Sequence, residues 1–163
     1  ILTQQYKQAV TDWNAKQQFT LFGTCQFMFK SNRTIEDRKK AIMRFWNAVD
    51  RTIYTAKEIA TEGKRVERIV YLEQGRSRDY VHFHFFCKAN NPTQLKTLIN
   101  TTQHFWNNKV EDTQTLDIKL NQNSDYRDGY GIKEYEAICF DDNRNFKTEI
   151  SNEQIFVECC HLT

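Results

Sequence analysis

The stretch YVHFHFF, Tyr80 to Phe86, sets two histidines at alternate positions of what reads as a β-strand. A strand that only filled a core would carry apolar residues there. Successive side chains of an extended chain point to opposite faces, so His82 and His84 share one face and Val81, Phe83, Phe85 and Cys87 the other. Two adjacent imidazoles are a common way to hold a divalent metal. The HxH pattern alone is better read as two surface histidines, and a third ligand shifts the balance. Glu73 supplies one, since it precedes the turn QGRSRD and faces the same side by parity. Two imidazoles and a carboxylate leave positions open for water and substrate. That suits Mg²⁺ or Mn²⁺ as a Lewis acid better than a closed structural zinc site.

A second group of reactive residues lies in YGIKEY, where Tyr130 and Lys133 would share one face of a helix. Alone this is an ordinary amphipathic turn. Beside a metal it has a use. A tyrosine hydroxyl, with a pKa of about 10, is a poor nucleophile until a nearby cation favours the phenolate. Lysine can offset charge on a phosphate under attack. Tyr126 is a second hydroxyl nearby, but Asp128 and Gly129 read as a cap and turn that leave it outside the helix. Cys159, Cys160 and His161 are poorly spaced for zinc and read as the end of a strand.

The elements that must position these residues follow from periodicity. Phe19 to Lys30 reads as a strand with Phe19, Leu21, Cys25, Phe27 and Phe29 on its apolar face. Ile42, Phe45, Val49 and Ile53 recur at helical spacing, with Gly63 as a stop and Arg33, Arg38, Lys39 and Lys40 on a solvated side. A hairpin follows, with Val66, Val70 and Leu72 on one face of its first strand. Asn91 and Pro92 then open a second helix that turns Leu95, Leu98, Ile99, Phe105 and Trp106 inward. A strand with Leu116, Ile118 and Leu120 inward, a loop closing into a short helix near Tyr130, and a last strand in NEQIFVECC complete the order. This predicts an α+β domain of ferredoxin- or RRM-like type, an antiparallel sheet with helices packed on one face and the other face open.

The 163 residues suit one domain with a sizeable core, centred on about residues 19–140. No apolar run is long enough to span a bilayer and no signal-peptide pattern occurs, which predicts a soluble chain. Five cysteines without a CxxC pair favour a reducing compartment, with Cys25 and Cys87 as buried thiols. A net charge of +2 does not by itself point to nucleic acid.

Taken together, these motifs resemble those of the HUH-superfamily replication-initiator endonucleases of the single-tyrosine type. HFH matches their His-hydrophobic-His motif, and YGIK resembles their Tyr-x-x-Lys motif. LFGTCQFMF resembles their first strand motif more loosely, and Glu73 sits where many initiators carry an acidic third ligand. The resemblance runs from Phe19 to Phe140 in element order. It implies that Glu73, His82 and His84 bind Mn²⁺ or Mg²⁺ and that Tyr130 attacks a phosphate of single-stranded DNA at a stem-loop origin, with Lys133 orienting that phosphate. The product would be a 5′-phosphotyrosine link, which the same site can rejoin during rolling-circle replication. No GxxxxGK[ST] loop occurs, so the chain would be a nicking domain served by a separate or host helicase. Such a protein would work in the cytoplasm of a bacterial host of a plasmid or phage, or in the host nucleus for a eukaryotic virus.

Arg76 and Arg78 at the hairpin tip, with Gln26 and Lys119 on neighbouring strands, are the candidate DNA contacts. Two alternatives share much of the pattern. One is a single-strand DNA transposase with the same chemistry. The other is a non-catalytic RRM-like module that stacks bases on Phe22, Tyr71, Tyr80 and Phe86.

Overall fold

The computed structural model describes residues 4–29, 32–74, 80–121, 136–137, 145 and 147–152. Along the chain run α1 (Gln4–Gln17), β1 (Leu21–Gln26), α2 (Ile35–Ile53), α3 (Ala56–Glu62), β2 (Arg68–Glu73), β3 (His82–Cys87), α4 (Pro92–Lys109), β4 (Asp117–Leu120) and the two-residue β5 (Glu136–Ala137). The strands lie in the order β4-β1-β3-β2-β5, and every pairing is antiparallel. The run β1-helix-β2-β3-α4-β4 in that spatial order is compatible with a ferredoxin-like α+β arrangement.

One face of the sheet packs against α2 and α4. Leu21, Cys25, Phe27, Val70, Leu72, Phe83, Phe85 and Cys87 meet Ile42, Phe45, Trp46, Val49, Leu98 and Trp106 in one buried cluster. The alternation of apolar residues along β1, β2 and β3 produces this layer. The Cys25 and Cys87 thiols lie within it, and burial pushes the pKa of Cys87 up to about 12.

The helices start where short polar residues can cap them. Thr34 and Asp37 form a reciprocal capping box at α2, and Asn91 accepts from the Gln94 N–H at the start of α4. The helical stretch that Gly63 ends is two helices, because Thr55 and Glu58 form a second capping box and restart the chain after Tyr54. Gly63 closes α3 with φ 63°, a left-handed conformation that costs a glycine nothing.

Several expectations are corrected. The second face of the sheet is not open, because α1 lies over it and packs Val10 and Trp13 against Phe19, Phe22, Ile69, Tyr71 and Phe86. Arg38 is buried instead of solvated, with its guanidinium carbon 5.3 Å from the centre of the Phe27 ring. Leu120 is 49% exposed because β4 is an edge strand. Residues 136–137, expected near the end of a loop and short helix, are extended and pair with Leu72 and Tyr71.

A buried ion pair joins α2 to β2. Asp50 and Arg68 are both fully buried, with Arg68 Nη1 2.9 Å from Asp50 Oδ1 and Nη2 3.1 Å from Oδ2. Nη1 also donates to Val66 O, Nη2 to Glu149 O, and Nε to Ile150 O, so every N–H of the guanidinium has an acceptor. Asp50 accepts further from the Val66 amide and from Arg65. Removing one partner strands the other charge in the core. Asp50→Ala is therefore expected to lower stability by about 3–5 kcal/mol in urea unfolding. Gly23 faces the Phe85 ring, and a Cβ there would fall inside the ring's van der Waals envelope. Gly23→Ala is expected to cost about 1–3 kcal/mol in the same measurement.

Candidate metal centre

β3 is hydrogen-bonded to β1 on one side and β2 on the other, and this fixes what surrounds each histidine. His82 lies opposite Glu73 on β2 and Gln26 on β1, while His84 lies opposite Tyr71 and Thr24. Paired residues in a sheet share a face, so the carboxylate and both imidazoles project to the side away from α2 and α4. The three meet there. Glu73 Oε2 is 3.0 Å from His82 Nε2 and 2.9 Å from His84 Nε2.

The donor set fits a divalent cation. One ligand atom from each of Glu73, His82 and His84 lies within 4.8 Å of the others, and all three belong to paired strands. Both imidazoles are also held from behind. His82 Nδ1 is 3.4 Å from Tyr80 O, and His84 Nδ1 is 3.0 Å from Thr24 Oγ1. A carbonyl only accepts, so Nδ1–H of His82 is the donor there, and a cation would take Nε2 in place of the proton it directs at Glu73. The threonine hydroxyl can accept from Nδ1–H of His84, which gives that ring the same arrangement. Such outer partners fix the tautomer and orientation of metal-binding histidines. Phe22 stacks on His84 with ring centres 5.5 Å apart.

The histidines are on the expected face but are not surface groups. His84 is 1% exposed, and the side chains of His82 and Glu73 retain 12% and 14%. Burial works to raise the pKa of Glu73. The hydrogen bonds and positive charges of His82 and His84 outweigh it and bring the value to about 2.

Gln26 flanks His82 on the same face, half-buried. Lys119 is farther out on β4, opposite Phe22, and pairs with Asp117 at 3.1 Å. Tyr80 is half-buried beside the centre, its ring 5.9 Å from that of His82. Phe22, Tyr71 and Phe86, expected as an exposed stacking surface, are buried. Thr24 and the Tyr80 carbonyl are the parts of the site not anticipated. Alternation puts Thr24 on the histidine face, but only the strand register sets it against His84. Tyr126, Tyr130, Lys133, Arg76 and Arg78, with the short helix and last strand expected towards the C-terminus, lie outside the described residues. Among the described residues, no helix is long and apolar enough to cross a membrane.

Two outcomes follow from this geometry. A cation must displace the protons that the two Nε2 atoms direct at Glu73, so Mn²⁺ binding should release protons and weaken as pH falls. Calorimetry in buffers of different ionisation enthalpy would measure the release, and binding without any would contradict the ligand set. In metal-free protein the folded pKa of Glu73 lies below its ordinary 4.5, so its contribution to stability is present above about pH 4.5 and is lost as pH falls towards about 2. Glu73→Gln should be less stable by about 1.5–3 kcal/mol above that window, and the difference should close within it.

No family model, curated protein or solved structure matches the chain.

Proposed function

We propose that this chain is a metal-dependent endonuclease that nicks and rejoins single-stranded DNA through a tyrosine, in the manner of the HUH replication initiators, and so starts rolling-circle replication. The observation that carries the reading is the convergence of Glu73, His82 and His84 on a single point, each histidine oriented by its own second partner. A bound Mn²⁺ or Mg²⁺ would supply Lewis-acid polarisation of the scissile phosphate.

The chain's own residues do the rest. Tyr130 Oη forms a bond to phosphorus while the bond from phosphorus to the 3′ oxygen breaks. The phenolic proton is given up, and the departing 3′ oxygen takes a proton to become a free hydroxyl. Lys133 offsets charge gathering on the phosphate oxygens. Because the phosphodiester energy is retained in the tyrosine link, attack by a 3′-hydroxyl reverses the step and closes the strand.

Chain connectivity is compatible with these roles. Glu136 pairs with Leu72, the neighbour of Glu73. Lys133 and Tyr130 lie three and six residues before it in sequence, within about 10 Å and 20 Å of extended chain. The base-stacking alternative loses support, since three of its four aromatic residues are buried.

The test is covalent capture. Labelled single-stranded DNA with Mn²⁺ should give an adduct that survives denaturation and disappears with chelator. His82→Ala and Tyr130→Phe should each abolish it, a loss of at least about 10³-fold, while Tyr126→Phe retains it. An adduct that persists in Tyr130→Phe and is lost in Tyr126→Phe would move the nucleophile. Undiminished cleavage in excess chelator would remove the metal from the reaction.

A further inference from the structure

The helical side of the molecule carries a groove of about 480 Å³ between α2 and the C-terminal end of α4. Phe27, Phe45 and Phe105 line it, and so do Arg38, Arg44 and Lys109. Its volume is in the range of small-ligand sites, about 300–1,000 Å³. It contains none of Glu73, His82 and His84, which project from the other face of the sheet.

Arg38 distinguishes the groove from an ordinary crevice. It is 5% exposed, and its buried Nε–H has no hydrogen-bond partner among the described residues. Arg68, also buried, has an acceptor for every N–H. The acids around Arg38 are committed elsewhere. Asp37 holds the Thr34 amide and hydroxyl in the cap of α2, Glu111 pairs with Arg33 at 2.6 Å, and Asp112 pairs with Arg33 at 3.4 Å, acting on Arg38 only through its charge. Arg44 and Lys109 are exposed, with no ion pair to a described residue. Four cations and two anions line the groove, counting Arg33 with Arg38, Arg44 and Lys109 against Asp37 and Glu111, and Asp112 is a third anion beside it. A guanidinium N–H without an acceptor, above an aromatic floor, is complementary to an oxyanion attached to a ring.

We propose that this groove binds a small aromatic anion of mononucleotide size, its phosphate at Arg38 and its ring against the phenylalanine floor. The site is independent of the metal centre and of the nicking reaction. The same chemistry is offered by a free nucleotide and by a nucleotide within a DNA strand.

Calorimetry of the whole chain with dAMP, deoxyadenosine and inorganic phosphate tests it. dAMP should bind, and each of the other two at least about tenfold more weakly, because each satisfies only part of the groove. Arg38→Gln should weaken dAMP binding at least about tenfold. Should that variant fail to fold, Arg44→Gln with Lys109→Gln leaves the buried residue intact and should weaken binding several-fold and reduce its salt dependence. His82→Ala should bind dAMP as the unaltered chain does. A dA-containing oligonucleotide that competes with dAMP, with the same dependence on Arg44 and Lys109, would identify the strand as the source. No dAMP binding at millimolar concentration, binding indifferent to Arg44 and Lys109, or binding lost in His82→Ala would each overturn the proposal.

Discussion

The register of β3 between its two neighbours is the constraint on which the site depends. The strand is hydrogen-bonded along both edges and covered on both faces. A slip of one residue would turn His82 and His84 into the layer beneath α2 and α4 and bring Phe83 and Phe85 to the other side. Nothing in that apolar layer satisfies two imidazoles, so hydrophobic packing itself selects the pairing that sets Glu73 against His82. The candidate metal ligands inherit their geometry from the core beneath them.

The two sides of the sheet handle charge differently. On the histidine face the charged groups answer one another at close range, with the carboxylate between two ring nitrogens and each ring tied to a second partner. On the helical side, Arg68 is neutralised by Asp50 and surrounded by carbonyls, with its guanidinium 4.7 Å above the Trp46 ring. Arg38 has a ring beneath it but, among the described residues, no comparable set of acceptors. A saturated arginine serves as a structural strut. One held in the core with a donor unused keeps recognition capacity that the fold does not consume.

Much of this was legible in the sequence, and the failures have physical causes. Alternation alone separates His82 and His84 from Val81, Phe83 and Phe85, and the same parity aligns Glu73 with them. Helix α1 left little signal, because its polar sequence offers only Val10 and Trp13 as described apolar contacts, too few for a clear stripe. Without that helix, Phe22, Tyr71 and Phe86 look like an exposed platform. Arg68 sits among Val66, Val70 and Leu72 at a parity that places it inside, but a buried arginine is intelligible only once Asp50, 18 residues earlier, is seen to meet it. Arg38 belongs to a helical charge run that predicts a solvated side, and such a run does not reveal that a neighbouring strand end covers one of its members.

Arg68 also bears on the order in which the chain can complete itself. It opens the strand that ends in Glu73, yet Nε and one donor of Nη2 are answered by the carbonyls of Ile150 and Glu149, some eighty residues later. Asn152 adds a further tie, its side chain accepting from the Arg68 amide and donating to Val66 O. During synthesis the four strands of the ferredoxin-like core are all available before these acceptors emerge. In a chain emerging from its N-terminal end, the full set of acceptors around the ion pair that anchors β2 therefore exists only once residues 149–152 have been made.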